Sequence, residues 1–137
     1  MHELKASFVI PAYNEGANLP ATVNALQEVL QQNAIPYEII IVNDNSTDNT
    51  GAVIADLIAA DPCIRTIDRD PPSGFGRAIR SGLELVEGDV VFIYMADSSD
   101  DPADALIYYR KIEEGFDCVF GSRFRRGSKV TNYPKFK

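Results

Sequence analysis

The chain has no tryptophan, one histidine and two cysteines among its 137 residues. Each scarcity closes a route. With His2 alone near the N-terminus, zinc ligation and a His-based catalytic triad lack their residues. Cys63 and Cys118 stand in apolar surroundings at strand-like positions, so they read as small buried hydrophobes in a reducing compartment, not as a disulfide framework. No apolar run is long enough to span a bilayer and no basic-then-apolar leader opens the chain, so a soluble, cytoplasmic protein is expected. Neither G-x-x-x-x-G-K-[ST] nor G-x-S-x-G occurs, which removes the P-loop and the nucleophile elbow. The G-x-G-x-x-G fingerprint fails too: Gly74-Phe-Gly76 begins it, but its third glycine position holds Ile79.

What is present is an ordinary globular composition, 45% hydrophobic and 24% charged. The length suits one domain with a real core, taken here as 1–137, and no repeat or linker divides it. The net charge of −7 is unevenly distributed. All 20 acids and seven of the 13 bases precede residue 123, which leaves the first 122 residues at −13 and the last 15 at +6. Arg123, Arg125, Arg126, Lys129, Lys135 and Lys137 make that basic segment. It suits an anion, either a ligand phosphate or an acidic membrane surface.

Apolar runs at 6–10, 37–42, 63–67, 90–94 and 116–120 read as strands. Between them lie helical patterns: Leu19, Val23, Leu26 and Leu30 make one stripe after Asn18, and Val53, Ile54, Leu57 and Ile58 make another. Residues 77–86 and 102–114 supply two more. This alternation predicts an α/β fold, a mostly parallel sheet with helices on both faces. Residues 90–94 look like a central strand covered on both faces, and Pro11 looks like the end of the first strand.

Parallel strands place their carboxyl ends on one edge, where ligands of open α/β sheets bind. Pro11, Tyr13 and Glu15 follow the first strand; Asp44, Ser46 and Asp48 the second; Asp97 the fourth; Arg123 the fifth. Acidic oxygens suit a hard divalent cation, and an arginine can fork onto phosphate oxygens. Taken singly, each group has a duller role: Ser46 or Asp48 as an N-cap, and Asp100 and Asp101 as caps of the helix opening at Pro102.

Five ordered segments resemble the family 2 glycosyltransferases, and within them the dolichol-phosphate mannosyltransferase-like (polyprenyl-phosphate sugar transferase) branch. They are 8–15 (FVIPAYNE), 42–50 (VNDNSTDNT), 74–82 (GFGRAIRSG), 96–102 (ADSSDDP) and 121–124 (GSRF). The resemblance implies a GT-A fold, a nucleotide-diphosphate-sugar donor, Mg²⁺ or Mn²⁺, and inversion at the anomeric carbon. It places Pro11, Ala12, Tyr13, Glu15, Val42, Asp44, Ser46, Gly76, Arg80, Ala96, Asp97 and Arg123 in the nucleotide-sugar site. Asp44 would read the base. Asp97 and Arg123 would carry the catalysis, with Asp97 and Ser99 toward the metal. The implied acceptor is a lipid phosphate or a glycan, with no nucleic-acid partner. Membrane-surface association through the basic C-terminal segment, at the cytoplasmic face, and a homo-oligomer are further expectations.

The chain departs from the family pattern in three ways. Met95 replaces the first acid of D-x-D, Asn43 stands where the second strand usually offers an aspartate, and family members normally continue well past 121–124. A donor-binding half is therefore expected. A non-catalytic nucleotide-binding or self-associating module is the alternative. A sugar-1-phosphate nucleotidyltransferase would need a Gly-rich, basic loop after the first strand, which residues 11–16 lack.

Overall fold

A computed structural model of the chain describes residues 3–119. Strands and helices alternate: β1 (Ala6–Ala12), α1 (Leu19–Gln32), β2 (Tyr37–Asn43), α2 (Thr50–Ala60), β3 (Ile64–Asp68), α3 (Phe75–Leu83), β4 (Val90–Ile93) and α4 (Pro102–Glu113). The four strands form one sheet in the order β3-β2-β1-β4. Every pairing is parallel, so all four carboxyl ends lie along one edge.

Strand periodicity of two sorts the side chains between two layers. Phe8 and Ile10 of β1, Ile39 and Ile41 of β2 and Phe92 of β4 face one side, where Leu19, Val23, Leu26 and Leu30 of α1 meet Ile54 of α2 and Ala105 and Tyr109 of α4. Phe8 stacks on Phe92 with ring centroids 4.4 Å apart and meets Tyr94 edge-on at 5.8 Å, which fastens β4 to β1. On the other side, Val9, Ile40 and Val42 pack against Ala78 of α3. Helices therefore cover both faces.

Helix α3 approaches the sheet closely because Gly82 has no side chain. A Cβ there would stand 2.5 Å from Val9 Cγ1 and 3.0 Å from Val42 Cγ2. Gly82→Ala is expected to lower the unfolding free energy by about 1–3 kcal/mol, the usual range for overpacking. Urea denaturation of both chains measures this directly.

Four expectations change. The strand at 90–94 lies at the edge of the described sheet, not its centre, and Val91 and Ile93 are 42% and 41% exposed. Its Phe92 and Tyr94 side is packed in the core, but α3 lies over β1 and β2, so among the described residues no helix lies upon the opposite side of β4. Pro11 does not end β1. Its missing N–H points to the same side as Val9, where pairing with β4 has already stopped at Val9↔Ile93, so no ladder bond is lost. Residues 116–119 form no strand, and Phe120 lies outside the described residues. Cys63 and Cys118 are both exposed: Cys63 occupies the turn before β3, and Cys118 lies beyond α4.

Candidate functional site

The loops leaving the carboxyl ends of β1 and β2 are stitched together through Asn14. Its side-chain Oδ1 accepts the N–H groups of Thr47 (2.7 Å) and Asp48 (3.3 Å), and its own N–H donates to Ser46 Oγ at 3.0 Å. Asn14 adopts φ +53°, a left-handed conformation that asparagine tolerates better than most residues. The Glu15 N–H donates to Thr50 Oγ1 at 3.0 Å, and the Gly16 N–H to Asp48 Oδ2 at 3.4 Å. Any side chain at Gly16 would collide with Asn49 Oδ1. Hydrogen bonds from Thr50 hold the Asp48 carboxyl below the usual carboxylate range. Ser46 and Asp48 thus shape the loops. Tyr13 stands out from them, 55% exposed.

Asp44, just past β2, is buried. Its Oδ1 accepts from Arg69 Nη1 at 2.7 Å and from Asn45 Nδ2 at 3.1 Å, while its Oδ2 accepts the Gly74 N–H at 2.9 Å. Arg69 is fixed in turn by Ser81, whose Oγ accepts from Nε at 2.9 Å. Two loops, the one after β2 and the one joining β3 to α3, therefore meet on one carboxylate. Sequence reasoning credited the third strand with no site residue, yet Arg69 follows it immediately. Its N–H donates to the Asn43 carbonyl at 3.0 Å, so it continues the register beside β2. A base one residue past a strand, level with Asp44 on the neighbouring strand, was the available signal. The side-chain Oδ1 of Asn43 itself is a buried acceptor with no donor among the described residues.

The loop after β4 is built on its own carboxylates. The Met95 N–H donates to Asp100 Oδ2 at 2.8 Å, and the Ala103 N–H to Asp101 Oδ1 at 2.9 Å. Asp101 is thus the N-cap of α4, with Pro102 in its first turn. Asp97 is exposed, and its Oδ1 accepts the Ser99 N–H at 3.0 Å. Hydrogen bonds from the Ser99 side chain and backbone hold the Asp97 carboxyl below its ordinary range, so it is ionised at neutral pH. The Tyr94 hydroxyl is pushed well up, by burial first and the Asp100 charge second.

Ala12, Val42 and Ala96 are buried and offer only backbone groups to this edge, whereas Gly76 and Arg80 lie exposed on α3. Arg123 lies outside the described residues.

The sequence model of Glycosyl transferase family 2 matches residues 7–137. The chain belongs to this family. Among the relatives of this family 2 glycosyltransferase is the dolichol-phosphate mannosyltransferase of Pyrococcus furiosus, 32% identical over 98% of this chain and 37% of that protein. The polyprenol monophosphomannose synthase of Mycolicibacterium smegmatis is 34% identical over 92% of this chain and 48% of its own length. The chain thus spans less than half of either relative. A solved mannosyltransferase of Pyrobaculum calidifontis, in complex with GDP-Man and Mn²⁺, superposes with a TM-score of 0.63 at 20% identity, over 71% of this chain and 28% of that one. TarS of S. aureus, in complex with UDP-GlcNAc, gives 0.65 at 23% identity over 81% and 32%. These likenesses show the fold, which is of the GT-A type.

In this family 2 chain no three His, Cys, Asp or Glu side chains gather as metal ligands among the described residues. Among these residues, an ion held entirely by protein side chains does not fit. Asp97, exposed and ionised, is the carboxylate that would share a hard cation with phosphate oxygens and water, the shell Mg²⁺ commonly keeps. Among the described residues no helix is long and apolar enough to cross a membrane.

Proposed function

We propose that residues 1–137 form the donor-binding domain of an inverting, metal-dependent glycosyltransferase that moves a sugar from a nucleotide diphosphate to a polyprenyl or dolichyl phosphate, or a similar acceptor. The observation that carries this reading is the shared edge: Asp44, locked by Arg69, and Asp97, exposed and ionised, both leave carboxyl ends of one parallel sheet. The Asp44 carboxylate retains one of its four lone-pair sites, enough to accept a base N–H. Tyr13 supplies an exposed ring one residue past Ala12, whose carbonyl accepts the Asp44 N–H, on the loop stitched to 46–50.

Asp97 would hold the cation together with the donor phosphates; when bound, Mg²⁺ or Mn²⁺ neutralises charge gathering on the departing nucleoside diphosphate. Arg123 is assigned to the same diphosphate. A lipid-phosphate acceptor is already anionic at neutral pH and needs little help from a general base. The basic residues after 122 would draw the domain to an anionic membrane surface on the cytoplasmic side.

A panel of GDP- and UDP-linked sugars, with and without Mn²⁺, tests the reading by thermal unfolding. Binding to the native state at a hundredfold excess over Kd adds about 2.7 kcal/mol of stability. At least one nucleotide sugar is expected to raise Tm only when Mn²⁺ is present. No shift with any of them would refute the proposal.

A further inference from the structure

The buried face of α1 is apolar at Leu19, Val23, Leu26 and Leu30, and polar at one position, Thr22. Thr22 is 2% exposed, so its hydroxyl must be satisfied inside the protein. It donates to the carbonyl of Ala96 at 2.8 Å. With that single proton committed, Ser98 Oγ, 2.6 Å away, is the donor of the second bond. Ala96 and Ser98 are the two neighbours of Asp97.

The ends of the loop are tied to β1 and α4, by the Tyr94 N–H to the Val9 carbonyl and the Ala103 N–H to Asp101. Between those ends the Met95 N–H donates to Asp100 and the Ser99 N–H to Asp97, both within the loop. Among the described residues, the hydrogen bonds that reach 95–99 from outside 94–101 both come from Thr22. Packing holds Ala96, which is buried in the core, but not the exposed Ser98. A cavity of about 290 Å³ opens between α1 and the loop, lined by Thr22, Ala25, Tyr94, Ser98, Ser99 and Asp100 among others. Ser98 is held at φ +65°, a left-handed conformation that a serine keeps only when its surroundings dictate it.

We propose that Thr22 is the positioning residue for Asp97, gripping the backbone on one side of the carboxylate and the side chain on the other, and so fixing where it meets a metal-bridged diphosphate. This rests on the donor-binding role given to Asp97 above. The geometry makes the hydroxyl, not the volume, the working part.

Calorimetric titration of the 137-residue chain with GDP and UDP, each with and without Mn²⁺, tests this in wild type, Thr22→Val and Thr22→Ser. Thr22→Val keeps the shape and removes the hydroxyl. It is expected to lose Mn²⁺-dependent affinity by about 10–100-fold, the loss typical when a group orienting a metal ligand is removed. Affinity without Mn²⁺ should stay at the wild-type value, and Thr22→Ser should restore the Mn²⁺ response. Should Thr22→Val fail to fold, Ser98→Ala removes one of the two bonds from an exposed position and should weaken the same response by less. Equal losses with and without Mn²⁺, or an unchanged response in Thr22→Val and Ser98→Ala, would overturn the inference alone. A wild-type chain with no Mn²⁺-dependent binding would overturn the functional reading and the inference with it.

Discussion

Replacing Glu38 by alanine is expected to lower the unfolding free energy by about 3 kcal/mol or more, since each buried donor left without its acceptor costs about 1–3 kcal/mol. Glu38 is 3% exposed at the start of β2. Its Oε2 accepts from Ser7 Oγ and the Glu87 N–H, both at 2.6 Å, and from the Gly88 N–H at 3.2 Å. Its Oε1 pairs with Arg65 at 2.6 Å, and Arg65 also donates to the Leu85 carbonyl. The carboxylate thus joins β1, β2, β3 and the turn that leads from α3 into β4. Alanine would leave a serine hydroxyl, two backbone N–H groups and a guanidinium without their acceptor. A drop in the urea midpoint with an unchanged slope is the expected result; a loss under 1 kcal/mol would mean that water replaces the carboxylate.

The same group sets an acid limit. Burial pushes the Glu38 carboxyl up, but hydrogen bonds from Ser7, the Glu87 N–H and Arg65, with the Arg65 charge, outweigh it and hold it below its ordinary value of 4.5. A depressed folded-state value contributes stability that is present above 4.5 and lost as pH falls through the folded value. The gap in stability between wild type and Glu38→Ala should therefore narrow as pH drops below 4.5.

Asp97→Asn is expected to remove Mn²⁺-dependent affinity for a nucleoside diphosphate. The loss should exceed the about 10–100-fold that outer partners of metal ligands cost, since Asp97 is the carboxylate proposed to touch the ion. The fold should be unaffected, because Asp97 is exposed and asparagine can still accept the Ser99 N–H. Calorimetry with and without Mn²⁺, beside a thermal melt, separates the two effects. Undiminished Mn²⁺-dependent affinity would leave Asp97 a loop-shaping residue like Asp100.

Much of this was legible in the sequence where a residue's role depends on its near neighbours. The Leu19, Val23, Leu26, Leu30 stripe became the buried face of α1, and Tyr37–Asn43 became an interior strand. Asp101 caps α4, as its place before Pro102 suggests. What escaped depended on distant partners. An apolar run such as 90–94 reports its own hydrophobicity, not whether a helix covers it, so the edge position of β4 could not be read. Arg69 gains its role from Asp44, 25 residues earlier, and Thr22 from Ala96, 74 residues later. A threonine within a leucine stripe carries no signal of its own.

The knot around Glu38 ties the amino ends of the strands, and the groups assigned to the donor leave their opposite ends. Durability and selectivity are thereby lodged at two poles of the molecule. An exposed loop position such as Tyr13 can change with a new base or sugar while the anchoring pole keeps the scaffold intact. A lineage built on this plan can diversify its chemistry without first acquiring extra robustness.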